Sequence, residues 1–234
     1  MRLITWNCRI GRFRRKSKTL SALRPDILAV QEVEPISDAT IFAGELQPTF
    51  RDRLAHPKFP RRAIGTFSYT DTRLRPVDLE GPLFSFRRYE ATREGLHFNV
   101  IAVWPWNTGS VKTAYRQAHE GLDVHARWIG ERPTVILGDF NANASFKGKN
   151  WSDLIARLKP LGFVSAYHQH FRQEHGQEKS PTYFHRCRED AAFHLDYCFI
   201  PQDWVPSLTS VQVGAYADWH TVSDHMPLVV DLAL

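Results

Sequence analysis

Five times along the 234-residue chain a short apolar run is bounded by an acid or an amide, and this recurrence limits the possible folds more than any other feature. Residues 2–7 end on Asn7, and residues 27–30 run into Gln31-Glu32. Residues 134–137 lead into Gly138-Asp139-Phe140-Asn141, residues 194–200 enclose Asp196, and Asp224-His225 stand just before residues 227–232. Compact apolar runs of this length read as buried strands. Strands that share a core bring their ends to one rim of a sheet, and the loops there carry function. The acids and amides are thereby expected along one edge, above the apolar runs.

The segments between these runs supply helices. After Asn7 comes a basic stretch with Phe13, Leu20 and Leu23 at helical spacing, stopped near Pro25, so the chain opens as strand, helix, strand. Residues 111–129 place Tyr115, Leu122 and Ile129 seven apart, with Ala118 and Ala126 on the same face, which predicts an amphipathic helix. Residues 151–158 predict another. Strand-like runs at 63–69, 82–86, 98–104 and 207–213 complete the pattern. Alternating strands and helices with added hairpins point to an α/β fold of two packed sheets with helices outside. No repeat, low-complexity tract or Gly/Ser linker divides the chain, so residues 1–234 are expected to form one domain.

Composition removes several classes. With 43% hydrophobic and 24% charged residues the chain is neither disordered nor fibrous. No apolar stretch approaches the roughly 20 residues of a membrane-spanning helix, and the N-terminus is too short and polar for a signal peptide. Cys8, Cys187 and Cys198 are an odd count without paired spacing, which argues against a disulfide framework or a zinc site. A cytoplasmic protein with reduced thiols and no membrane association is the expectation. Charge is uneven: residues 1–117 hold 20 Lys and Arg against 11 Asp and Glu, whereas residues 118–234 hold 10 against 14, with 9 of the 11 histidines. A basic half suits a polyanion, and an acidic, histidine-rich half suits a metal. Oxygen donors without cysteine suit a hard cation such as Mg²⁺ or Mn²⁺.

Order and context make the pieces specific. Thr-Trp-Asn-Cys at 5–8, Asp-Ile-Leu-Ala-Val-Gln-Glu at 26–32, Gly-Asp-Phe-Asn at 138–141, His-Leu-Asp-Tyr at 194–197 and Ser-Asp-His-Met-Pro at 223–227 resemble the endonuclease/exonuclease/phosphatase superfamily. The resemblance implies a four-layer α/β/β/α sandwich and divalent-metal-dependent cleavage of a phosphoester by water. It implies Glu32 and Asp224 as metal ligands, Asp139 as the group that orients or deprotonates the water, and His225 on a non-bridging oxygen with Asp196 as its acidic partner. Asn7 and Asn141 are expected to donate to phosphate oxygens or to steady Asp139, with Asp139 and Asn141 on one face of an extended segment.

Two positions depart from the family pattern. Arg9 stands where many members carry an acidic or amide residue of the metal site. Residues 100–107 lack the Tyr or His that members often turn toward the phosphate, leaving Trp104, Trp106 and Asn107 as candidates for that place or as packing residues. Arg9, Arg12, Arg14, Arg15, Lys16 and Lys18 follow a site strand, and Arg9 and Arg12 are the expected substrate-binding cations. Further arginines pair at 61–62 and 87–88 and alternate at 51/53 and 73/75, and residues 183–188 are either a stacking loop or a packed one. Basic residues beside a phosphoester site favour a nucleic-acid backbone. The expectation is a monomeric nuclease acting on DNA, endonucleolytic or 3′-5′ exonucleolytic, in the manner of repair enzymes. A phosphatase or phosphodiesterase of a small or lipid phosphoester, and a non-catalytic phosphate-binding module, are the alternatives.

Overall fold

A computed structural model of the chain describes residues 1–34, 47–55, 61–69, 71–78, 84–106, 114–146 and 151–234. The chain runs through β1 (Arg2–Asn7), α1 (Phe13–Ser21), β2 (Ile27–Val33), β3 (Phe50–Ala55), β4 (Ala63–Ser68), β5 (Arg73–Val77), β6 (Phe86–Arg93) and β7 (Leu96–Val103). It continues with α2 (Ala114–Ile129), β8 (Thr134–Asp139), α3 (Trp151–Leu158), β9 (Phe163–Ser165), α4 (Ala166–Phe171), β10 (Tyr183–Phe184) and β11 (Ala192–Phe193). β12 (Asp196–Pro201), β13 (Leu208–Val213), α5 (Tyr216–Trp219) and β14 (Leu228–Leu232) finish it. One sheet has the order β13-β14-β1-β2-β4-β3, and the other β5-β6-β7-β8-β12-β9.

The apolar runs lack polar alternation because both faces of each central strand are buried. Successive side chains go to opposite faces. Leu3, Ile27, Val100, Val135, Leu137 and Ile200 therefore meet between the sheets. Their neighbours Ile4, Leu28 and Val30 face outward onto Phe13 and Leu20 of α1 and Trp219 of α5. On the second sheet Ile101, Ile136 and Phe199 face outward onto Leu122 of α2 and Trp151 and Leu158 of α3. The result is the expected α/β/β/α layering.

Strand direction explains why the acids gather. β1 and β2 run parallel, Asn7 opposite Gln31, so their C-terminal ends reach the same rim. β14 is antiparallel to β1, which puts residues 224–227 beside the end of β1. In the second sheet β12 is antiparallel to β8, and Asp196 lies directly across from Asp139. On the other side of β8, Gly138 lets β7 pack close: a Cβ there would stand 2.0 Å from the Val103 carbonyl oxygen of β7.

Three local readings change. Of the strand expected at 82–86, residues 82 and 83 lie outside the described residues and Phe84 and Ser85 form a turn; the strand starts at Phe86 and runs on to Arg93 through the polar Arg87, Arg88 and Glu90. Asn141 has φ 49°, so the segment after Asp139 turns through a left-handed residue and is not extended. Part of the basic surplus is used internally. Arg87 Nε lies 2.6 Å from Asp52 Oδ2, tying β6 to β3 of the other sheet, and Arg93 Nη1 lies 2.5 Å from Asp26 Oδ1. No helix among the described residues is long and apolar enough to cross a membrane.

His125 of α2 is fully buried near the rings of Phe86 and Trp128, and neither ring nitrogen has a partner among the described residues. Burial, helped by Arg88, holds its pKa down at about 4. The folded pKa is depressed below the unfolded value, so protonation favours the unfolded chain and stability is lost as pH falls from about 6.5 toward 4. His125→Leu is expected to remove up to about 3 kcal/mol of this acid sensitivity. Urea unfolding at pH 7 and pH 4 checks it: equal acid loss in both proteins contradicts the assignment.

Candidate active site

The rim brings together Asn7, Asp139, Asn141, Asp196 and His225, five of the expected site residues, as two hydrogen-bonded groups, Asp139 with the asparagines and His225 with Asp196, that approach to 3.9 Å. Asp139, fully buried at the end of β8, is the centre of the first. Its Oδ2 accepts from Asn7 Nδ2 at 2.9 Å and from Asn141 Nδ2 at 3.0 Å, while Oδ1 accepts the Asn141 backbone N–H at 2.8 Å. The Asn7 bond crosses from one sheet to the other. The left-handed turn at Asn141 folds its amide back onto the carboxylate, and the second amide hydrogen reaches Pro105 O at 3.0 Å. Both asparagines thus steady Asp139. Burial pushes the Asp139 carboxyl up to about 7 against the opposing pull of His225 and the Asn7 and Asn141 donors. A carboxylate poised near neutrality and within a hydrogen bond's reach of a water is suited to proton abstraction.

His225 is 4% exposed, with Nδ1 2.8 Å from Asp196 Oδ2 and Nε2 3.9 Å from Asp139 Oδ2. Burial alone would lower its pKa, but the adjacent Asp196 and Asp139 carboxylates outweigh it and raise it to about 10. The imidazolium therefore has one N–H fixed on Asp196 and the other directed to the side where Asp139 stands. Its main chain is fastened as well. Trp6 Nε1 donates to His225 O at 2.8 Å, and Ser223 Oγ accepts the His225 N–H at 3.0 Å while donating to Asn7 O at 2.7 Å. Ser223 lies inside the Ser-Asp-His run, but its role depends on the end of β1, more than 200 residues away, which no local pattern reveals.

Asp224 stands apart from these groups, and Glu32 reaches them only through Asn7. Glu32 has φ 61° in a bulge of β2; its Oε2 accepts the Ile10 N–H at 2.7 Å and lies 3.3 Å from Arg62 Nη1. Its Oε1 takes a 3.4 Å bond from Asn7 Nδ2. Asp224 Oδ2 lies 3.4 Å from Arg9 Nε. Guanidinium charge thus balances both carboxylates that the sequence assigned to a cation. The donors still fit a hard divalent ion in kind, being carboxylate and amide oxygens with no thiolate. Asp196 Oδ1, buried and without a hydrogen-bond partner among the described residues, adds one more oxygen at the same rim.

Among the described residues, two groups of His and carboxylate side chains are close enough to share an ion: Asp139, Asp196 and His225, and His168, His175 and Glu178. The second is committed to internal bonds. His168 bonds Ser165 Oγ at 2.8 Å and Glu178 Oε1 at 3.1 Å, and Trp151 Nε1 donates to His175 Nδ1 at 3.2 Å. The His168 and His175 rings stack at 3.6 Å.

Of the departures, Arg9 sits at the rim with its side chain 41% exposed and Nη1 2.7 Å from Cys187 Sγ. Arg12 is exposed at the start of α1. Lys16 turns inward, donating to the backbone oxygens of Cys8 and Arg9. Trp104 does not line the site: it is 4% exposed in the core between the sheets. The Trp106 backbone exchanges two bonds with the Gln117 side-chain amide, and Asn107 lies outside the described residues. The aromatic beside His225 is instead Tyr183, whose ring centroid lies 4.7 Å away and whose hydroxyl bonds His185 Nδ1 at 2.9 Å. Burial, with Asp224 and Asp139 nearby, pushes its phenol up to about 12.

A family model described as Endonuclease/Exonuclease/phosphatase family matches residues 4–225. No curated protein matches the sequence. Among solved structures, the 3′ phosphatase NExo from Neisseria, bound to a product DNA hairpin, is similar at a TM-score of 0.73 and 19% identity over 100% of both chains. The 3′-5′ exonuclease NExo from Neisseria meningitidis gives 0.70 and 18%, again over 100% of both. The endonuclease domain of TRAS1, a telomere-specific non-LTR retrotransposon, gives 0.67 and 13% over 99% of this chain and 97% of that one.

Asp196→Asn removes the nearest charge that holds the His225 proton. The imidazole pKa is expected to fall by about 2 units or more, read by NMR titration of the ring. An unchanged titration contradicts the pairing.

Proposed function

The chain belongs to the endonuclease/exonuclease/phosphatase family, whose members hydrolyse phosphoesters, and on that premise we propose that it is a divalent-metal-dependent nuclease that cleaves DNA by water attack on a phosphodiester. The observation that carries this reading is the Asp139 carboxylate, buried between two amide donors and facing the His225–Asp196 pair. Asp139, fixed in orientation by Asn7 and Asn141, takes the proton of the attacking water. His225, kept charged by Asp196, donates its Nε2–H to a non-bridging phosphate oxygen and relieves the charge that builds there. Glu32 and Asp224 would hold the cation, which when bound polarises the phosphoryl group and stabilises the leaving alkoxide. Arg9 and Arg62, each beside one of these carboxylates, would meet a neighbouring phosphate of a polyanion.

DNA is favoured by the exposed cations of the 9–18 segment beside the rim and by the two similar Neisseria structures, both named NExo, one described as a 3′-5′ exonuclease and the other as a 3′ phosphatase holding a product DNA hairpin. The latter favours a second reading, removal of a 3′ phosphomonoester from DNA, which uses the same groups. Residues 1–234 act in this proposal as one catalytic domain.

With Mg²⁺ or Mn²⁺, the protein is expected to degrade linear or nicked DNA, and EDTA to abolish the activity. Asp139→Asn is expected to lower kcat about 10³-fold. Glu32→Ala is expected to weaken Mn²⁺ binding in calorimetry. Release of inorganic phosphate from a 3′-phosphorylated oligonucleotide without shortening selects the second reading. Full activity in EDTA contradicts the metal dependence, and inactivity on every DNA, RNA and monoester substrate contradicts the enzyme.

The 9–18 segment also predicts a salt dependence. DNA binding in Ca²⁺ or without metal is expected to fall linearly in log–log plots against salt, and Arg9→Ala together with Arg12→Ala to reduce the slope by about 2. An unchanged slope in filter binding contradicts their placement on the backbone.

A further inference from the structure

We propose that Thr182, which no motif singles out, is a positioning residue for the hydrolysis: its hydroxyl and backbone set the Asp196–His225 pair. The proposal rests on the phosphoester-cleaving role given to that pair. Thr182 is fully buried. Its Oγ1 accepts two successive backbone N–H groups, from Leu195 at 2.9 Å and from Asp196 at 3.0 Å. Its backbone N–H donates to Phe193 O at 3.0 Å, and its carbonyl accepts the Met226 N–H at 2.7 Å. One residue therefore holds the segment that carries Asp196 on one side and the segment that carries His225 on the other.

The next two residues extend the grip. Tyr183 forms an antiparallel bridge with His225 and packs its ring against the imidazole. Phe184 donates its N–H to Asp224 O at 2.8 Å. Asp196 belongs to the second sheet and residues 224–226 lead into the first. The Asp196–His225 contact is therefore an inter-sheet distance, and residues 182–184 span it. The hydroxyl is the part that sequence can vary without breaking this backbone pairing. Among the described residues that oxygen is the acceptor for these two consecutive amides, and losing it frees the Asp196 main chain to shift. Misplacement of a reacting or charge-stabilising group by about 1 Å is enough to cost about 100-fold in rate.

The test compares Thr182→Val, which keeps shape and loses the hydroxyl, with Thr182→Ser, which keeps the hydroxyl. Thr182→Val is expected to lower kcat by about 10- to 100-fold with KM within about threefold of wild type, and Thr182→Ser to recover most of kcat. Amide exchange at Leu195 and Asp196 is expected to quicken at least about tenfold in Thr182→Val, while the β1 amides keep their protection. Should Thr182→Val fail to fold, Thr182→Ala replaces it against Thr182→Ser on the same readouts. Wild-type kcat together with wild-type exchange in the hydroxyl-free variant overturns the proposal. So does an equal loss of kcat in Thr182→Ser. If wild-type protein cleaves no phosphoester, the functional reading fails while amide exchange still decides whether Thr182 holds Asp196.

Discussion

The hydrogen bond from Asn7 to Asp139 joins the two sheets at the place where chemistry is to occur, and much of the molecule follows from the need to keep it. A carboxylate taken out of water is costly unless donors replace the lost solvation. Asp139 has three such donors, one from the end of β1 and two from Asn141. The left-handed backbone at Asn141 and the bare Gly138 against β7 are local prices of that arrangement. Parallel pairing of β1 with β2 and antiparallel pairing of β8 with β12 then bring Glu32 and Asp196 to the same rim. Family membership and the similar solved folds agree with this scaffold.

Electrostatics divide the work between neighbouring groups. Asp139 and Asp196 face each other in register, yet only Asp196 makes a short bond to His225. The histidine is therefore held as a cation against one carboxylate, and the other is left to amide donors with its pKa raised by burial. Acid and base roles separate in this way whenever two titratable groups sit in unlike surroundings. The arginines beside Glu32 and Asp224 add a second positive region at the mouth, next to the oxygens that suit a divalent ion.

Much of this was legible in the sequence because it is local. β1 and α3 have the bounds their apolar patterns suggest, since burial on both faces or on one helical stripe writes itself into consecutive residues. β3 and β5 are harder to see: they are edge strands with half-exposed, arginine-bearing faces, and their partners lie in other segments. The two-residue strands β10 and β11 are too short to show a period. Within the site, the motifs carried Asn7, Asp139, Asn141, Asp196 and His225, and the family resemblance implied the Asp196–His225 pairing and offered the steadying of Asp139 by the asparagines as one alternative; the left-handed turn that folds Asn141 back was not legible. Ser223, Thr182 and Tyr183 work through contacts with main chain or rings remote in sequence. Trp104 shows the converse, an aromatic whose place beside a site segment suggested function and whose side chain is core.

The claim at the centre is that Asp139 is a base tuned by burial between amide donors. Its carboxyl titration in metal-free protein, followed by ¹³C NMR and assigned through Asp139→Asn, tests that directly. A midpoint near 7 agrees with the geometry. A midpoint at the ordinary aspartate value of about 4 contradicts it.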